Sequence, residues 1–355
     1  MIVTVNSQKL AEALRAVCKV VQSQPSIQIL GYVLVEADHE LRLSATDLEV
    51  SLALTCPATI STPGRCVLPA ATTLQLIEQF TDGTVTIAVD AKGAHVHHAT
   101  FKSRLQTLPA AEFPTLAFPE GEPATLAGNL LMRLITATRY AVADRGKKFI
   151  LEGALLKLSG TSMGMIATDG ARLSIATAVR DEGPDFAILI PRKTMDILPV
   201  LGTGPISVLV GANHLFFSID GMMLTSRMIE GKFPSYERII PRDNNKTLTV
   251  DRKRLSAALK RIGVAAENNC AVYLSISSES LSLSSKSVEV GEADEQMPAH
   301  YEGDPLIMCV NWRYLHDFLD VAEGDTVTIG MKSDKSPLLV ADGVSFINVI
   351  MTMRG

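Results

Sequence analysis

The sequence has 355 residues, of which 47% are hydrophobic and 20% are charged, an ordinary balance for a folded protein of two or three domains. The net charge of −5 argues against nucleic-acid binding over the whole surface, and no run of about 18 apolar residues is present to span a membrane. The five cysteines show no Cys-x-x-Cys spacing and the first residues lack signal-peptide features, so we expect free thiols, no zinc site and a cytoplasmic location.

The sequence predicts six short amphipathic helices, each preceded by an apolar strand. Asn6, Asn129 and Asp251 stand before three of them and are suited to cap a helix, because their side chains accept hydrogen bonds from its first free amides. Pro69 and Pro191 fall in the first turn of two others, where proline is already in the helical conformation. The predicted helices cover residues 6–22, 70–80, 128–142, 191–201, 251–263 and 311–321, and alternating apolar runs such as 85–89 and 327–329 predict strands after them.

One segment occurs three times, at a spacing of about a third of the chain. Leu43-Ser-Ala-Thr-Asp-Leu-Glu-Val50 returns 240 residues later as Leu283-Ser-Ser-Lys-Ser-Val-Glu-Val290. A middle copy, Ile166-Ala-Thr-Asp-Gly-Ala-Arg-Leu173, places Asp169 122 residues after Asp47. Because these two aspartates recur within the repeat, they fit a structural turn better than a pair of catalytic acids. A repeat of this size predicts an α+β fold of three similar domains, 1–121, 122–244 and 245–355.

The predicted helices differ in charge from the rest of the chain. They contain thirteen basic and six acidic residues, which leaves the helices at +7 and everything else at −12. If the helices share one surface, that surface is positive. The alternative is that helices commonly carry lysine and arginine on solvated faces, and the charge count alone does not decide between the two.

Motifs for catalysis or cofactor binding are mostly absent. Gly231-Lys232 lacks the upstream glycine of a phosphate-binding loop. His95, His97 and His98 are the best metal candidate, since alternate residues of a strand share one face. No carboxylate or cysteine is close to them in sequence, so we favour an exposed edge strand over a metal site.

Three motifs are specific enough to indicate a family. They are Ala167-Thr-Asp-Gly-Ala-Arg-Leu173, Ser226-Arg-Met-Ile-Glu-Gly-Lys-Phe-Pro-Ser-Tyr236 with Arg238, and Val349-Ile-Met-Thr-Met-Arg354. In this order, within a triplicated chain of this length, they resemble the bacterial sliding clamp, the beta subunit of DNA polymerase III. The resemblance covers the whole chain and implies a DNA clamp fold, in which each domain is two βαβββ units. It further implies that the chain forms half of a closed ring, with helices inside and sheets outside.

The resemblance also implies a function without catalysis. A homodimeric ring would encircle duplex DNA without reading its sequence and tether the replicative polymerase for processivity, with no metal, cofactor or catalytic residue of its own. A positive helix surface would then line the hole and attract phosphates. The implied partners are the polymerase III alpha subunit, the clamp loader, and repair and translesion polymerases, which bind through short peptides rich in Gln, Leu and Phe; no membrane partner is implied.

The resemblance assigns two sets of residues. The partner-peptide pocket would consist of Leu151, Thr168, Gly170, Arg172, Leu173, Pro234, Arg238, Ile239, Val349, Ile350, Met351, Met353 and Arg354. The DNA-facing residues would be Lys9, Arg15, Lys19, Arg133, Arg139, Lys147, Lys148, Arg192, Lys193, Arg252, Lys253, Arg254, Lys260 and Arg261. In the pocket, Gly170 would let a backbone approach closely, and Arg172 and Arg238 would bond the peptide.

This chain departs from the family pattern at several positions. Ala171 stands where the pocket often has histidine, and Thr352 replaces the usual proline between the terminal methionines, so we expect an altered peptide preference. Gln24 and Ala71 replace basic residues of the first domain. Contact with tilted or single-stranded DNA is therefore expected to be weaker, or to be carried by the basic segment 145–148.

For the dimer we expect the edge near residues 101–106 to meet the stretch around 264–273. Two other functions stay open from the residues alone. One is a repeat scaffold that binds proteins without DNA, and the other is a metal-dependent enzyme that uses the strand from His95 to His98.

Overall fold

The computed structural model describes residues 1–117, 120–146, 148–266, 269–287 and 290–353. Lys147 and Arg354, assigned above to the DNA-facing set and the pocket, lie outside these residues. The chain divides into two compact units: Met1–Asn129 with Lys193–Met228, and Leu130–Arg192 with Ile229–Gly355. No helix in the described residues is both long and apolar enough to cross a membrane.

All six predicted helices are confirmed. In chain order they are α1 (Ser7–Val17), α2 (Ala70–Ile77), α3 (Gly128–Thr138), α4 (Arg192–Ile197), α5 (Arg252–Gly263) and α6 (Trp312–Val321). The first four end earlier than predicted, and short 3-10 turns continue two of them at Arg139–Ala141 and Leu198–Leu201. Further 3-10 turns lie at Gln28–Gly31, Ala110–Glu112 and Phe149–Leu151.

Two of the three predicted helix caps are correct. The side chains of Asn6 and Asp251 accept hydrogen bonds from the amide three residues on, at 3.1 and 2.7 Å. The prediction for Asn129 is wrong, because α3 begins one residue earlier at Gly128. There the Gly128 amide donates to the carbonyl oxygen of Gly204 at 3.1 Å, and a Cβ at Gly128 would lie only 2.2 Å from that oxygen. The close backbone contact therefore requires glycine at this position.

The strands are numbered β1 to β26 along the chain. The first unit contains β1 (Ile2–Asn6), β2 (Tyr32–Ala37), β3 (Leu41–Thr46), β4 (Val50–Cys56), β5 (Ala58–Thr62), β6 (Gly64–Pro69), β7 (Thr84–Asp90), β8 (Gly93–His98), β9 (Phe101–Leu105), β10 (Ala124–Ala127), β15 (Pro205–Val210), β16 (His214–Ile219) and β17 (Met222–Arg227). They form a five-stranded sheet, β5-β1-β7-β8-β9, and an eight-stranded sheet, β10-β15-β16-β17-β4-β3-β2-β6.

The second unit contains β11 (Gly153–Ser159), β12 (Ser162–Thr168), β13 (Arg172–Val179), β14 (Phe186–Pro191), β18 (Lys246–Asp251), β19 (Ala271–Ser277), β20 (Ser280–Ser287), β21 (Gly291–Pro298), β22 (His300–Glu302), β23 (Leu306–Asn311), β24 (Thr326–Met331), β25 (Leu338–Asp342) and β26 (Phe346–Ile350). Its sheets are β14-β11-β12-β13-β26-β25-β24-β18-β22 and β21-β20-β19-β23.

The order of elements repeats six times, as the sequence predicts. Each repeat is a strand, a helix and a run of three antiparallel strands: β1-α1-β2-β3-β4, β6-α2-β7-β8-β9, β10-α3-β11-β12-β13, β14-α4-β15-β16-β17, β18-α5-β19-β20-β21 and β23-α6-β24-β25-β26. The strands β5 and β22 are additions to this pattern. Two repeats make one domain of the α+β fold, so six repeats make three similar domains.

The last strands of the repeats join neighbouring domains. Strand β4 pairs with β17 in the first unit, and β13 pairs with β26 in the second. We call these the first and second junctions. In the described part of the chain, the two remaining last strands, β9 and β21, end their sheets with one side unpaired.

Helices and sheets pack through buried leucines. Leu10 and Leu14 on α1 and Leu43 and Leu52 on the strands β3 and β4 that it covers are at most 2% exposed. Burying each such side chain contributes roughly 1.5–3 kcal/mol before the loss of conformational entropy. The helical and strand periodicities of the sequence therefore meet in one core layer.

Candidate functional site

The turn between β12 and β13 is held by its own side chains. The Thr168 hydroxyl donates to the carbonyl oxygen of Arg172 at 2.6 Å and accepts from the Gly170 amide at 3.1 Å. Asp169 Oδ1 accepts from the amides of Ala171 and Arg172 at 2.9 and 3.0 Å. Asp169 is therefore a turn residue, as predicted.

The turn between β3 and β4 contains the same bonds. The Thr46 hydroxyl donates to the carbonyl oxygen of Val50 and accepts from the Leu48 amide, at 3.2 and 3.1 Å. Asp47 Oδ1 accepts from the amides of Glu49 and Val50 at 3.1 and 2.8 Å. Asp47 and Asp169 thus have one structural role, which confirms that interpretation of their recurrence.

The third copy differs by one residue in its turn. Leu43 pairs with Leu54 across the first hairpin, but Leu283 pairs with Glu295 rather than with the residue 240 positions beyond Leu54. The constant offset of 240 residues, which aligns Val290 with Val50, therefore does not hold after the turn. The Ser287 hydroxyl still accepts from the Val290 amide at 3.3 Å, so a weaker version of the turn contact remains.

Arg172 has a different environment from the one expected. Its Nε donates to Asp169 Oδ2 at 3.0 Å and its Nη1 to Asp317 Oδ2 at 2.6 Å, and Nη2 donates to the carbonyl oxygen of Tyr140. The guanidinium also lies 4.5 Å from the centre of the Tyr314 ring. With its side chain only 10% exposed, Arg172 holds the turn and α6 together, and it has little capacity left to bond a peptide.

Gly170 is explained by its own backbone. No atom beyond its sequence neighbours lies within 4 Å of a Cβ built at this position, so no contact within the chain requires the glycine. Its φ of +92° does, because that conformation favours residues without a Cβ.

The apolar part of the predicted pocket is a real cluster in the second unit. Leu151, Leu173 and Val349 are at most 5% exposed and pack in one core with Ile229 and Phe233. Other members of this cluster are Ala143, Ile166 and Leu189, with Ile150, Leu155, Ile175, Tyr236, Ile240 and Leu339 at its margin. Thr168 and Ile350 are also buried. These residues form the floor of the site, and their burial fits a structural role as well as a binding role.

The other described residues of the predicted pocket are exposed or half-buried. Gly170, Pro234, Arg238, Ile239 and Met351 all reach solvent, while Met353 is half-buried. A groove of about 730 Å³ is lined in part by Arg238, Ile239, Met351, Lys332 and Pro337. Exposed apolar groups beside charged ones are typical of a peptide-binding surface.

The chain end is fixed beside the turn. The amide of Met351 donates to the carbonyl oxygen of Ala171 at 3.0 Å, and the amide of Met353 donates to that of Cys309 at 2.8 Å. The Thr352 hydroxyl donates to the carbonyl oxygen of Lys335 at 3.1 Å. These bonds order the apolar tail where proline is absent.

The first junction has polar residues where the second has apolar ones. Leu173 pairs with Val349 at the second junction, and the corresponding pair at the first is Ser51 with Thr225. The backbone geometry is shared, so the difference lies in the side chains. At this position the second junction is therefore apolar and the first is polar.

Sequence reasoning assigned no role to four residues that shape the site. Ile229 and Phe233 belong to the apolar floor, and Tyr314 and Asp317 contact Arg172. For Phe233 a signal existed, since Phe-Pro occurs at 113–114, 118–119 and 233–234, and the phenylalanines at 113 and 233 are buried. Tyr314 and Asp317 are distant from the motif in sequence, and only the fold brings them to it.

Many of the basic helix residues are already paired within the chain. The ion pairs are Lys9–Glu12, Arg15–Glu78, Arg133–Glu323, Arg192–Asp144, Lys193–Asp47, Lys260–Asp320 and Arg261–Glu295, and Arg252 donates to two carbonyl oxygens. Asp47, Asp144, Glu295 and Glu323 lie outside the helices. The value of +7 therefore overstates the positive charge of the helix surface, because acids from other elements reach it.

Four members of the DNA-facing set remain as exposed charges. Lys19, Lys148, Lys253 and Arg254 make no ion pair with any residue that the structure describes. Arg139 is exposed too. Lys19, Lys148, Lys253 and Arg254 are the most available to attract phosphates, since no ion pair offsets their charge.

The histidine strand differs from both earlier interpretations. Strand β8 lies between β7 and β9, so the prediction of an edge strand is wrong. His95 Nε2 is 3.2 Å from the Asp90 carboxylate, a partner that the sequence reasoning overlooked. The hydrogen bond from the backbone amide of Lys92 lowers the pKa of Asp90 most, and the contact with His95 lowers it further. His98 stacks on Phe80 at 4.3 Å. Within the described residues, no group of three or more His, Cys, Asp or Glu side chains could hold a metal.

Comparison with known proteins covers the whole chain. Residues 1–117, 125–235 and 237–354 match the N-terminal, central and C-terminal domain models of the DNA polymerase III beta subunit. The chain belongs to this family. It is 30% identical to the beta sliding clamp of Caulobacter vibrioides over 100% of both chains, and 29% identical to that of Synechocystis over 97% of both.

Solved structures of this family have the same fold. The DNA polymerase III subunit beta of Pseudomonas aeruginosa matches with a TM-score of 0.93 at 29% identity, over 100% of both chains. The sliding clamp of Bacillus subtilis matches with a TM-score of 0.94 at 25% identity, over 100% of this chain and 99% of that one. The family resemblance inferred from the three motifs is confirmed.

Proposed function

We propose that this chain is the subunit of a DNA sliding clamp, a ring of two copies that encircles duplex DNA and tethers polymerases without catalysing a reaction itself. Membership of the sliding-clamp family supports the general role. We also propose a cytoplasmic location and domain boundaries near 121 and 244. The observation that carries the ring is the pairing of the last strands of the repeats.

The two unpaired last strands can pair with each other between copies in the same way as the strands of the two junctions. At each junction, the last strand of one domain's first repeat pairs with the last strand of the next domain's second repeat. Strand β21 is the last of the third domain's first repeat, and β9 is the last of the first domain's second repeat. Pairing β21 of one copy with β9 of another repeats the junction, and two such contacts close a symmetric dimer.

The junctions also indicate the register of this contact. The first residue after the hairpin is Met222 at the first junction, and it pairs with Leu54, whose partner on the other side is Leu43. At the second junction the equivalent residue, Phe346, pairs with Ala176. At both junctions, therefore, the first residue after the hairpin lies opposite a residue that pairs, on its other side, with Leu43 or with the position equivalent to Leu43. This is the rule for the register.

Applied to the third pair, the rule places Phe101 opposite Glu295, because Glu295 pairs with Leu283. Lys102 then lies opposite Asp294, and Arg104 lies opposite Glu292. Each directly opposed pair of unlike charges contributes about 0.2–1 kcal/mol. A register chosen from backbone equivalence thus also gives charge complementarity, which supports it independently.

This register changes the earlier expectation for the third domain. Tyr273 pairs with Ser284 on one side and Cys309 on the other, so it offers no free strand edge. The strand part of the stretch 264–273 is therefore replaced by β21 in the proposed contact. Val264, which is 75% exposed at the end of α5, remains available for side-chain contact.

Cysteine cross-linking tests this register. Ser103→Cys and Ala293→Cys are directly opposite in the proposed contact, so the double variant should form a disulfide-linked dimer under mild oxidation. The control pairs Ser103→Cys with Glu295→Cys, which is displaced by two residues and should link poorly. Burial raises the pKa of Cys18 to about 11 and of Cys66 to about 12, so these two native thiols should oxidise slowly. Equal linking by both pairs, or by neither, would contradict the register.

Retention on circular DNA tests encirclement. We expect the chain, once loaded, to remain on nicked circular duplex and to leave when the circle is linearised, because topology and not affinity holds a ring. A scaffold that binds only proteins would bind neither form. If the chain binds linear and circular DNA equally, and the binding depends only on salt, the proposal is overturned. Any exposed basic surface binds DNA in that way.

We further propose that partner peptides dock at the second junction, with the polymerase III alpha subunit, the clamp loader and repair polymerases as the partners. The apolar floor and the exposed Ile239 and Met351 support this role. Ile239→Ala should weaken a Gln-Leu-x-Leu-Phe-type peptide by about fivefold or more, as for a central interface residue. Val344→Ala is the matched control, since Val344 is fully exposed elsewhere in the same unit. Equal affinities for the two variants would remove the pocket assignment.

A further inference from the structure

A chain of charged contacts runs from the turn of the second junction to α6. Arg172 lies between two carboxylates, Asp169 at 3.0 Å and Asp317 at 2.6 Å, and under the ring of Tyr314. Asp169 and Arg172 have side chains about 10% exposed, whereas that of Asp317 is 37% exposed. One guanidinium thus connects the turn to a carboxylate that belongs to a helix of another repeat.

We propose that Asp317 is a positioning residue for the peptide pocket. This inference rests on the proposed docking function and adds a residue to it that lies 145 positions from Arg172 in the chain. Asp317 is not a member of the apolar floor, and its ion pair is with Arg172. Its effect on the pocket passes through Arg172 and the turn that Arg172 closes.

The bonds of the turn explain how the effect is transmitted. The planar guanidinium holds both carboxylates in a fixed fork. Asp169, fixed by this fork through Oδ2, uses Oδ1 to fix the amides of Ala171 and Arg172. The carbonyl oxygen of Ala171 in turn accepts the amide of Met351 at the exposed rim of the site. Loss of Asp317 releases one arm of the fork and lets this series of bonds relax.

The first junction contains an analogous connection. There Asp47 Oδ1 holds the turn amides while Oδ2 pairs with Lys193, at the start of α4. Helices α4 and α6 are the second helices of their domains. Both turns are therefore connected to a helix through Oδ2 of the equivalent aspartate. Asp47 is connected directly, and Asp169 is connected through Arg172. The recurrence indicates that the connection to the helix maintains the turn.

Peptide affinity of an Asp317→Asn variant tests the role. A labelled Gln-Leu-x-Leu-Phe-type peptide is titrated with the full chain by fluorescence anisotropy. We expect affinity to fall by about fivefold, at the lower end of coupling between sites because Asp317 is partly exposed. Asp317→Glu should restore most of the affinity. Asp320→Asn, on the same helix but paired with Lys260 and His316, is the matched control and should leave the affinity unchanged.

A double-mutant cycle separates positioning from general stability. In an Arg172→Gln background, Asp317→Asn should cause no further loss, because the fork is already gone; additive losses would overturn the inference. If Asp317→Asn does not fold, Arg172→Lys tests the same contact, since lysine keeps the charge but cannot form the fork. Failure of the unsubstituted chain to bind the peptide would overturn the docking proposal itself. Binding that is insensitive to Asp317→Asn would overturn only the role of Asp317.

Discussion

Leu48 and Gly170 occupy the same position of the same turn, and both have a positive φ, +75° and +92°. Each amide donates to a threonine hydroxyl at 3.1 Å, and each is followed by two amides that bond an aspartate. The left-handed conformation costs a leucine about 1–2 kcal/mol, whereas glycine adopts it freely. The first turn therefore tolerates strain that the second avoids.

Substitution at Leu48 should reveal this strain. Leu48→Gly is expected to raise the free energy of unfolding by about 0.5–1 kcal/mol, because the side chain is 54% exposed and little burial is lost. Gly170→Ala should lower it by a similar amount without a steric clash, since the space around Gly170 is empty. Urea unfolding of both variants measures the two changes. A Leu48→Gly variant less stable than the original chain would contradict this account.

Charge exchange across the proposed dimer contact should be reversible. Arg104→Glu places like charges opposite Glu292 at both contacts of the ring, which costs roughly 1–2 kcal/mol in total and weakens the dimer about tenfold. Adding Glu292→Arg should restore the dimer. Sedimentation equilibrium at low salt measures each dissociation constant. A double variant weaker than either single variant would show that these strands are not opposed.

The unpaired basic residues should dominate the salt dependence of DNA binding. Lys253→Ala is expected to reduce the slope of log K against log salt by about one, because each phosphate contact releases about one counterion. Arg15→Ala should reduce it less, since Glu78 lies 2.7 Å from Arg15 and already offsets its charge. Anisotropy titrations of a short duplex over a range of salt compare them. Equal slopes would mean that the internal ion pairs open on binding.

Removal of the tail should abolish peptide binding. The fold should stay intact only if the cut is made after Ile350. Ile350 is fully buried and pairs with Arg172 in β26, so its loss damages the sheet. Deletion of residues 351–355 removes Met351 and Met353 but no strand residue. We expect an unchanged dimer by sedimentation and no measurable peptide binding by calorimetry. Retained binding would place the peptide elsewhere.

His316 should make stability fall in mild acid. Burial lowers the pKa of His316 below its usual value, and this outweighs the opposing effect of Asp320. Below the usual histidine pKa of about 6.5 the unfolded chain binds a proton that the folded chain resists, so stability is complete above that pH and declines beneath it. His316→Gln removes the titrating group and should flatten this decline. Urea unfolding of both proteins at about pH 7.5 and 5.5 measures the decline in the free energy of unfolding. An identical decline in both would exclude His316 as its cause.

The sequence alone determined the repeated elements and the family. Helices such as Trp312–Val321 were predictable because their caps and apolar spacing are local, and three motifs indicated the clamp family. Local signals also identified Asp47 and Asp169 as turn residues, since each bonds amides two and three positions away.

Only the tertiary structure decided which charges and strands find partners. Asp317 meets Arg172 across 145 residues, and acids outside the helices neutralise basic residues that composition counts as free. The order of strands places His95 inside one sheet and leaves β9 and β21 at the edges of two different sheets. A sequence pattern reports periodicity along the chain, whereas pairing depends on distances between segments that are far apart in it.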